Sequence, residues 1–444
     1  MSERNNNERQ PSAPGFITAL KFWLKLGFIS FGGPAGQISI MHEFLVEKQK
    51  WISNSRFMHA LNFTMLLPGP EAQQLATYCG YLLHGKKGGF AAGVLFILPS
   101  LVLLILLSIL YSLYSSRFLV KAVFAGIQPA IVAVIAVSLY RLSRKALTSL
   151  FHYTIAALSF SALFWGNIPF PIVIFGCLLS GILYARFVSL SNSRTSNSIS
   201  LESENDVLEN QFYINANSKT EFSSVQFTRI FKQTLLTICL WISVFLILRA
   251  CMANALFWSD LYLFFTQAAL ITFGGAYAVL PYVASTVVHS MHWLSSQQML
   301  DGLALGESTP GPLVMVLVFV GYMAAFQVEN SSVSAGIMGA CIVTFVTFLP
   351  SFFFIITGAS LVEKIRENQK VQIALQFISA GITGVILNLA VYFGRNVLFT
   401  NQNHDFNFFA AVWILISIGV LLRWRINLLL WILISSIAGL LHYY

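Results

Sequence analysis

Apolar residues run along the chain in long blocks separated by short polar turns. Blocks such as Phe90–Tyr114, and Phe408–Leu422 with its neighbour Leu428–Leu441, approach the roughly 20 residues that cross a bilayer as a helix. Read in order, they predict an all-α polytopic membrane protein with about thirteen transmembrane segments. In the first half these fall near 16–33, 62–82, 90–114, 119–140, 147–165 and 168–188. A polar stretch from 189 to 224 follows, rich in Ser and Asn and carrying Glu202, Glu204, Asp206 and Glu209, and it reads as a mobile linker. The second half gives segments near 233–250, 255–275, 302–325, 335–359, 373–394, 408–422 and 427–442. The expected organisation is a first membrane repeat over 1–188, a cytoplasmic linker over 189–224, and a second repeat over 225–444 preceded by one additional span.

Composition fits the pattern. The 444 residues are 57% hydrophobic and 10% charged, with a mean hydropathy of +0.73, against about 25% charged in soluble domains. Lipid must therefore be the solvent for much of the surface. The net charge of +9 belongs to cytoplasmic loops, where Lys and Arg collect. No basic stretch is interleaved with aromatics, which sets nucleic acid aside as a partner. Cys79, Cys177, Cys239, Cys251 and Cys341 lie scattered through apolar segments without CxxC spacing, and read as apolar fillers. His289 and His292 have no acidic or thiol neighbour to complete a metal site and read as loop histidines. No metal or cofactor is expected. With no HExxH or GxSxG constellation, neither is an enzyme. The first fifteen residues are polar, without an apolar signal region, so the first span is expected to be retained.

The distribution of Lys and Arg orients the chain. With the N-terminus inside, the inside loops receive Arg4, Arg9, Lys86, Lys87, Arg141, Arg144, Lys145, Arg186, Arg194, Lys364, Arg366, Lys370, Arg423 and Arg425. The outside keeps Arg117, Lys121, Arg395 and a mixed-sign loop with Glu47, Lys48 and Lys50. This predicts a cytoplasmic N-terminus and linker, and a periplasmic C-terminus.

The chain also repeats itself. Phe31-Gly32-Gly33 recurs as Phe273-Gly274-Gly275, Trp51 as Trp293, and Pro68-Gly69-Pro70 as Pro310-Gly311-Pro312, all at an offset of 242 residues (273 − 31, 293 − 51, 310 − 68). Gly80-Tyr81 matches Gly321-Tyr322, and Leu98-Pro99-Ser100 matches Leu349-Pro350-Ser351, with small length changes. By the span count an odd number of crossings separates the copies, so the second is expected to be inverted. Inverted repeats are typical of secondary transporters, with substrate bound near the midplane where the copies meet.

Proline removes a donor and clashes with the preceding turn, so each Pro-Gly-Pro is expected to end one half-helix and begin another, at about Glu71 and near Leu313. Each new helix offers free N–H groups and about half a positive charge, and two such starts facing each other make an anion site. Simple kinks are the alternative; two breaks at matching positions, each beside polar residues, favour the site. Gln73 and Gln74 can donate to oxyanion oxygens, as can the hydroxyls of Ser308 and Thr309. Gly69 and Gly311 sit within the breaks, while Gly32, Gly33, Gly274 and Gly275 permit close approach to a ligand or a neighbouring helix. Lys25, within the first span, serves as a fixed cation or snorkels to the interface. Glu71 and Glu307 are carboxylates in apolar surroundings; burial favours their protonated form, which casts them as proton-coupling residues.

From Phe22 to Ser100 the chain closely resembles the chromate ion transporter family. The residues that carry the likeness are the run Lys25–Gln37, Val46-Glu47, Trp51-Ile52, the run Leu66–Tyr78 and Leu98-Pro99-Ser100. The second copy resembles the family's weaker motif through Phe273-Gly274-Gly275, Trp293-Leu294, Asp301-Gly302-Leu303-Ala304 and Thr309-Pro310-Gly311-Pro312. The resemblance implies the long, two-domain form, which exports chromate across the bacterial inner membrane, driven by the membrane potential or an ion gradient, and confers chromate resistance. Two departures stand out. Lys48-Gln49-Lys50 replaces a more arginine-rich run, and Ala276 replaces a glycine. Chemistry alone reaches only a tetrahedral dianion, so sulfate or molybdate transport, or an anion channel, stay open as alternatives, as does a homodimer.

Overall fold

The computed structural model describes residues 13–31, 33–65, 67–166, 168–191, 211–215, 227–272, 276–366, 369–400, 405–424 and 426–443. Helix α1 (Phe16–Ile29) is followed by α2 (Gly33–His42), which widens into a π-helical turn over Glu43–Lys48. The Phe22 ring, midway along α1, stacks on Phe44 at 3.8 Å and meets the edge of Trp51 at 6.1 Å. The chain therefore doubles back on itself as a helical hairpin. Helix α3 (Asn54–Thr64), whose N-terminus is capped by Ser53 accepting from the Arg56 N–H, ends before Pro68-Gly69-Pro70. Helix α4 (Glu71–Tyr114) then returns along it, with Phe63 against Tyr78 at 4.9 Å. At His84 and Gly85 the backbone leaves helical geometry, so α4 is a short arm ending near Leu83 and a long one running to Tyr114. Three more helices complete this half: α5 (Phe118–Ala146), α6 (Leu150–Phe164) and α7 (Phe170–Ser191).

After α8 (Phe227–Cys251) the same order returns: α9 (Ala255–Leu270), then α10 (Ala276–Ser285) with a π-helical turn Thr286–Ser290, then α11 (Ser296–Ser308). A 3₁₀ turn Leu313–Met315 leads into α12 (Val316–Val328), followed by α13 (Val333–Arg366) and α14 (Gln369–Leu398). A two-stranded ribbon, β1 (Phe399–Thr400) and β2 (Asp405–Phe406), precedes α15 (Phe408–Arg423) and α16 (Leu428–Tyr443). Local geometry repeats at the 242-residue offset. Lys50 and His292 hold φ of 51° and 52°, Gly69 and Gly311 hold 126° and 102°, and Ser295 caps α11 as Ser53 caps α3.

Among the described residues six helices are long and apolar enough to cross a bilayer, and four shorter apolar ones, Leu150–Phe164, Leu313–Val328, Phe408–Arg423 and Leu428–His442, accompany them. The segments expected at 62–82 and 302–325 are each two helices, because both straddle a Pro-Gly-Pro break. A correction concerns the linker. Ile214 pairs in parallel with Ile52, the Ser53 N–H donates to Ile214 O at 2.8 Å, and Lys50 Nζ donates to Gln211 Oε1 at 2.9 Å. The Glu47–Lys50 turn and this part of the linker thus share one side of the protein. The span count had put them on opposite sides, because it treated a returning hairpin as a crossing. Residues 192–210 and 216–226, the bulk of the expected linker, lie outside the described residues.

The two copies are interleaved. Helix α5 packs on α15 and α16 of the second copy, while α14 packs on α6 and α7 of the first. Small residues permit the contact: a Cβ on Gly126 would strike the backbone of Ser435 and Gly439, and one on Gly384 would strike the Ala156 carbonyl. Helix α8 stands at the periphery, with Leu236, Ile242 and Ile247 exposed as a lipid-facing side chain would be.

Candidate functional site

The broken-helix tips meet in crossed pairs. The Gly69 N–H donates to Thr272 O at 2.7 Å, and the Gly311 N–H donates to Ser30 O at 2.8 Å. Thr272 stands to Ser30, and Gly311 to Gly69, at the same 242-residue offset, so each Pro-Gly-Pro tip is tied to the Phe-Gly-Gly break of the other copy. The long helices seal the tips. Ser100 Oγ, on α4, donates to Pro310 O and fills the space a Cβ on Gly311 would need; Ser351 Oγ, on α13, lies where a Cβ on Gly69 would go. Gln37 on α2 donates to Gly311 O at 2.5 Å. Only glycine holds these φ values cheaply and lets backbone and hydroxyl approach so closely.

Gln73 and Gln74 are fully buried at the start of α4. Their N–H₂ groups are engaged within the fold, Gln74 with Pro68 O at 2.7 Å and Gln73 with Thr77 Oγ1 at 3.0 Å. The amide oxygens of Gln37, Gln73 and Gln74 and the hydroxyls of Ser30, Thr347 and Ser351 are buried without a hydrogen-bond partner among the described residues. Such groups cost free energy unless something else satisfies them. Glu71 is half-buried at the first turn of α4, within electrostatic reach of Lys145 at the end of α5. Glu307 accepts a hydrogen bond from Tyr277 OH at 2.7 Å.

Other expected site residues fall differently. Lys25 is exposed on α1, whereas the tip residues Ser30, Gln73 and Gln74 are buried. The hydroxyls of Ser308 and Thr309 donate to Leu305 O and Gly306 O of their own helix. Gly33 has φ 71°, suited to a sharp turn, whereas Gly32, Gly274 and Gly275 lie outside the described residues. Ser30, Gln37, Ser100, Thr272 and Ser351 were missed as site residues. Ser100 and Ser351 had served as markers of the repeat, and Ser100 of the family resemblance, without a role at the site. Also missed was a buried polar cluster on α11, in which Asp301 accepts from Tyr111 OH at 2.7 Å and from Gln128 Nε2 at 2.8 Å. Its partners are remote in sequence, and no local pattern joins them. Among the described residues no group of His, Cys, Asp and Glu could hold a metal ion.

Crossed, broken-helix hairpins in an apolar helical bundle define a polytopic membrane protein of transporter build. The chain belongs to the chromate transporter family, whose model matches residues 17–182 and 259–440. It is 28% identical over 422 residues to a probable chromate transport protein of Synechococcus elongatus, covering 95% of this chain and 94% of that one. It is 29% identical over 431 residues to the chromate transport protein of Pseudomonas aeruginosa, covering 94% and 90%, and 27% identical over 378 residues to that of Cupriavidus metallidurans, covering 83% and 81%. No solved structure matches the chain.

Proposed function

We propose that this protein is a secondary active transporter that exports chromate across the bacterial inner membrane and so confers chromate resistance. Family membership and the names of the relatives support the substrate. The observation that carries the mechanism is the crossed pair of tip bonds, Gly69 to Thr272 and Gly311 to Ser30. In this reading the two copies are inverted repeats, each sending its hairpins to the midplane from its own side, with the N-terminus cytoplasmic and the C-terminus periplasmic. Opening one crossed pair while the other stays closed exposes the midplane to one side at a time.

The oxyanion takes donors from the tips. A half-turn of the Gln73 or Gln74 amide presents its N–H₂ group instead of its oxygen, and the Ser30 and Ser351 hydroxyls are free to turn toward a dianion. The free N–H groups at the start of α4 add favourable potential. Glu71 at that start would repel the anion while ionised, so proton uptake by Glu71, with Glu307 as the second coupling group, accompanies substrate binding. The test is chromate uptake into inverted membrane vesicles that contain the protein, with sulfate and molybdate as competitors. Uptake above vesicles lacking the protein is expected, and its rate should change when the proton gradient is discharged, because the proton that binds Glu71 travels with the anion. Sulfate or molybdate uptake without chromate uptake would reassign the substrate. Flux indifferent to the gradient would favour a channel.

A further inference from the structure

The tips are closed and buried, yet an open cavity of about 880 Å³ lies between α5, α6, α10, α11 and α14 and contains none of the tip residues. Lys121 and Gln128 line it from α5, His289 from the turn after α10, and Asn388, Arg395 and Asn396 from α14. Among the described residues no Asp or Glu lines it. Lys121 and Arg395 are exposed, and among the described residues neither makes an ion pair, the two pairs present being His42–Glu47 and Lys48–Glu43. The nearby Asp301 is buried, with its oxygens taken by Tyr111 and Gln128, and Asp405 sits on the β-ribbon outside the lining. Two unpaired cations on opposing helices in a cleft with low-dielectric walls concentrate anions, and the amides add neutral donors.

The cavity also leads somewhere. Pro281, Ser285 and His289 recur every four residues on one stripe, and Tyr277 is the next position inward on it. On α11, Leu300 lines the cavity, and Glu307 lies seven residues on, on the same face. Tyr277 and Glu307 are hydrogen-bonded to each other, so both stripes converge on the same half-buried carboxyl.

We propose that this cavity is a holding site for small dianionic oxyanions on the face that bears the start of α5, the periplasmic face in the export reading, where Lys121 and Arg395 hold an ion that has come outward past Glu307 along α10 and α11. The inference rests on the oxyanion-transport reading. The cavity is far larger than one oxyanion, so the ion keeps most of its water there. The two cations therefore set affinity on that face, and dehydration and turnover belong to the tips.

The experiment reconstitutes the full chain in one orientation and supplies chromate on either face, comparing wild type with K121Q/R395Q and the charge-preserving K121R/R395K. Loss of both cations is expected to raise KM about ten-fold for anion supplied on the cavity face, the order expected for two lost charge-assisted contacts in a hydrated site. The value of kcat should stay within about two-fold, since the midplane is untouched. KM from the other face should not change, and K121R/R395K should resemble wild type. Equal KM for wild type and K121Q/R395Q on both faces would overturn the inference. Equilibrium dialysis of radiolabelled sulfate against the detergent-purified proteins separates the two readings. If wild type moves no oxyanion, sulfate binding that K121Q/R395Q loses keeps the site and rejects the transport reading, whereas binding absent from wild type or equal in both rejects the site.

Discussion

Gly311→Ala tests whether the crossed tips are the working part of the fold. The backbone there holds φ 102°, outside the range that residues with a Cβ occupy cheaply, at about 2 kcal/mol. The added Cβ would also come within 2.9 Å of Ser100 Cβ and strike Ser100 Oγ, displacing the hydroxyl from Pro310 O. Losing that bond adds about 1 kcal/mol. The closed tip should therefore be disfavoured by about 3 kcal/mol, or roughly a hundred-fold in population. Two readings check it: the thermal midpoint of the purified protein, expected to fall by several degrees, and the initial rate of chromate flux in proteoliposomes, expected to drop at least ten-fold if each cycle must pass through the closed arrangement. The companion Ser100→Gly relieves the collision but not the φ strain, so G311A/S100G should regain about 1 kcal/mol relative to additive single effects. A wild-type midpoint and flux in G311A would refute the argument. Failure of S100G to couple with G311A would show that Ser100 is not what the glycine accommodates.

Three further outcomes follow from the same geometry. Tyr111→Phe strips one donor from the buried Asp301 carboxyl and should lower stability by about 1–3 kcal/mol; an unchanged thermal midpoint would contradict that role. Gly126→Leu drives a side chain into the backbone of Ser435 and Gly439, so no monodisperse protein should elute from detergent, and a wild-type elution profile would disprove so close an approach of α5 and α16. Glu71→Gln and Glu307→Gln should each abolish proton-coupled flux while protein remains in the membrane, and normal coupled flux in either variant removes that residue from the coupling scheme.

Much of the architecture was legible because apolar blocks and helix breakers act locally. At Pro68-Gly69-Pro70 the helix that ends at Thr64 gives way to one that starts at Glu71, and at Pro310-Gly311-Pro312 the helix that ends at Ser308 gives way to a 3₁₀ turn and then to one that starts at Val316. The hairpins were not legible. Whether a block of about fifteen apolar residues crosses or turns back depends on what it packs against, and Phe22 meeting Phe44 and Trp51 is a tertiary fact. The same limit governed the site. Gln73 and Gln74 were visible as polar residues beside a break, but Ser100 and Ser351 reach the tips from long helices many residues away, and the Asp301 cluster joins residues from three helices. Lys25 looked like a substrate cation because a lysine in an apolar run stands out, although which face of α1 it occupies follows from the packing of Gly27 against Leu95 and Phe96.

The copies share a backbone but divide the chemistry. At the 242-residue offset Glu71 corresponds to Leu313, and Gln73 and Gln74 to Met315 and Val316; conversely Glu307 corresponds to Met65, and Thr309 to Leu67. One copy therefore carries its polar residues after the break and the other before it. A transporter with equal chemistry in both halves would offer the anion two equivalent resting places and no reason to move with a proton in a particular order. In the proposed mechanism, symmetry of the tips would give two arrangements of similar energy, which alternating access requires. In the same mechanism, asymmetry of the side chains would give each arrangement a different affinity for the proton and the anion, which is what coupling requires, because a ligand shifts an equilibrium only by its differential affinity for the two states. The unmatched positions around the breaks, rather than the shared motif, are where coupling should be sought.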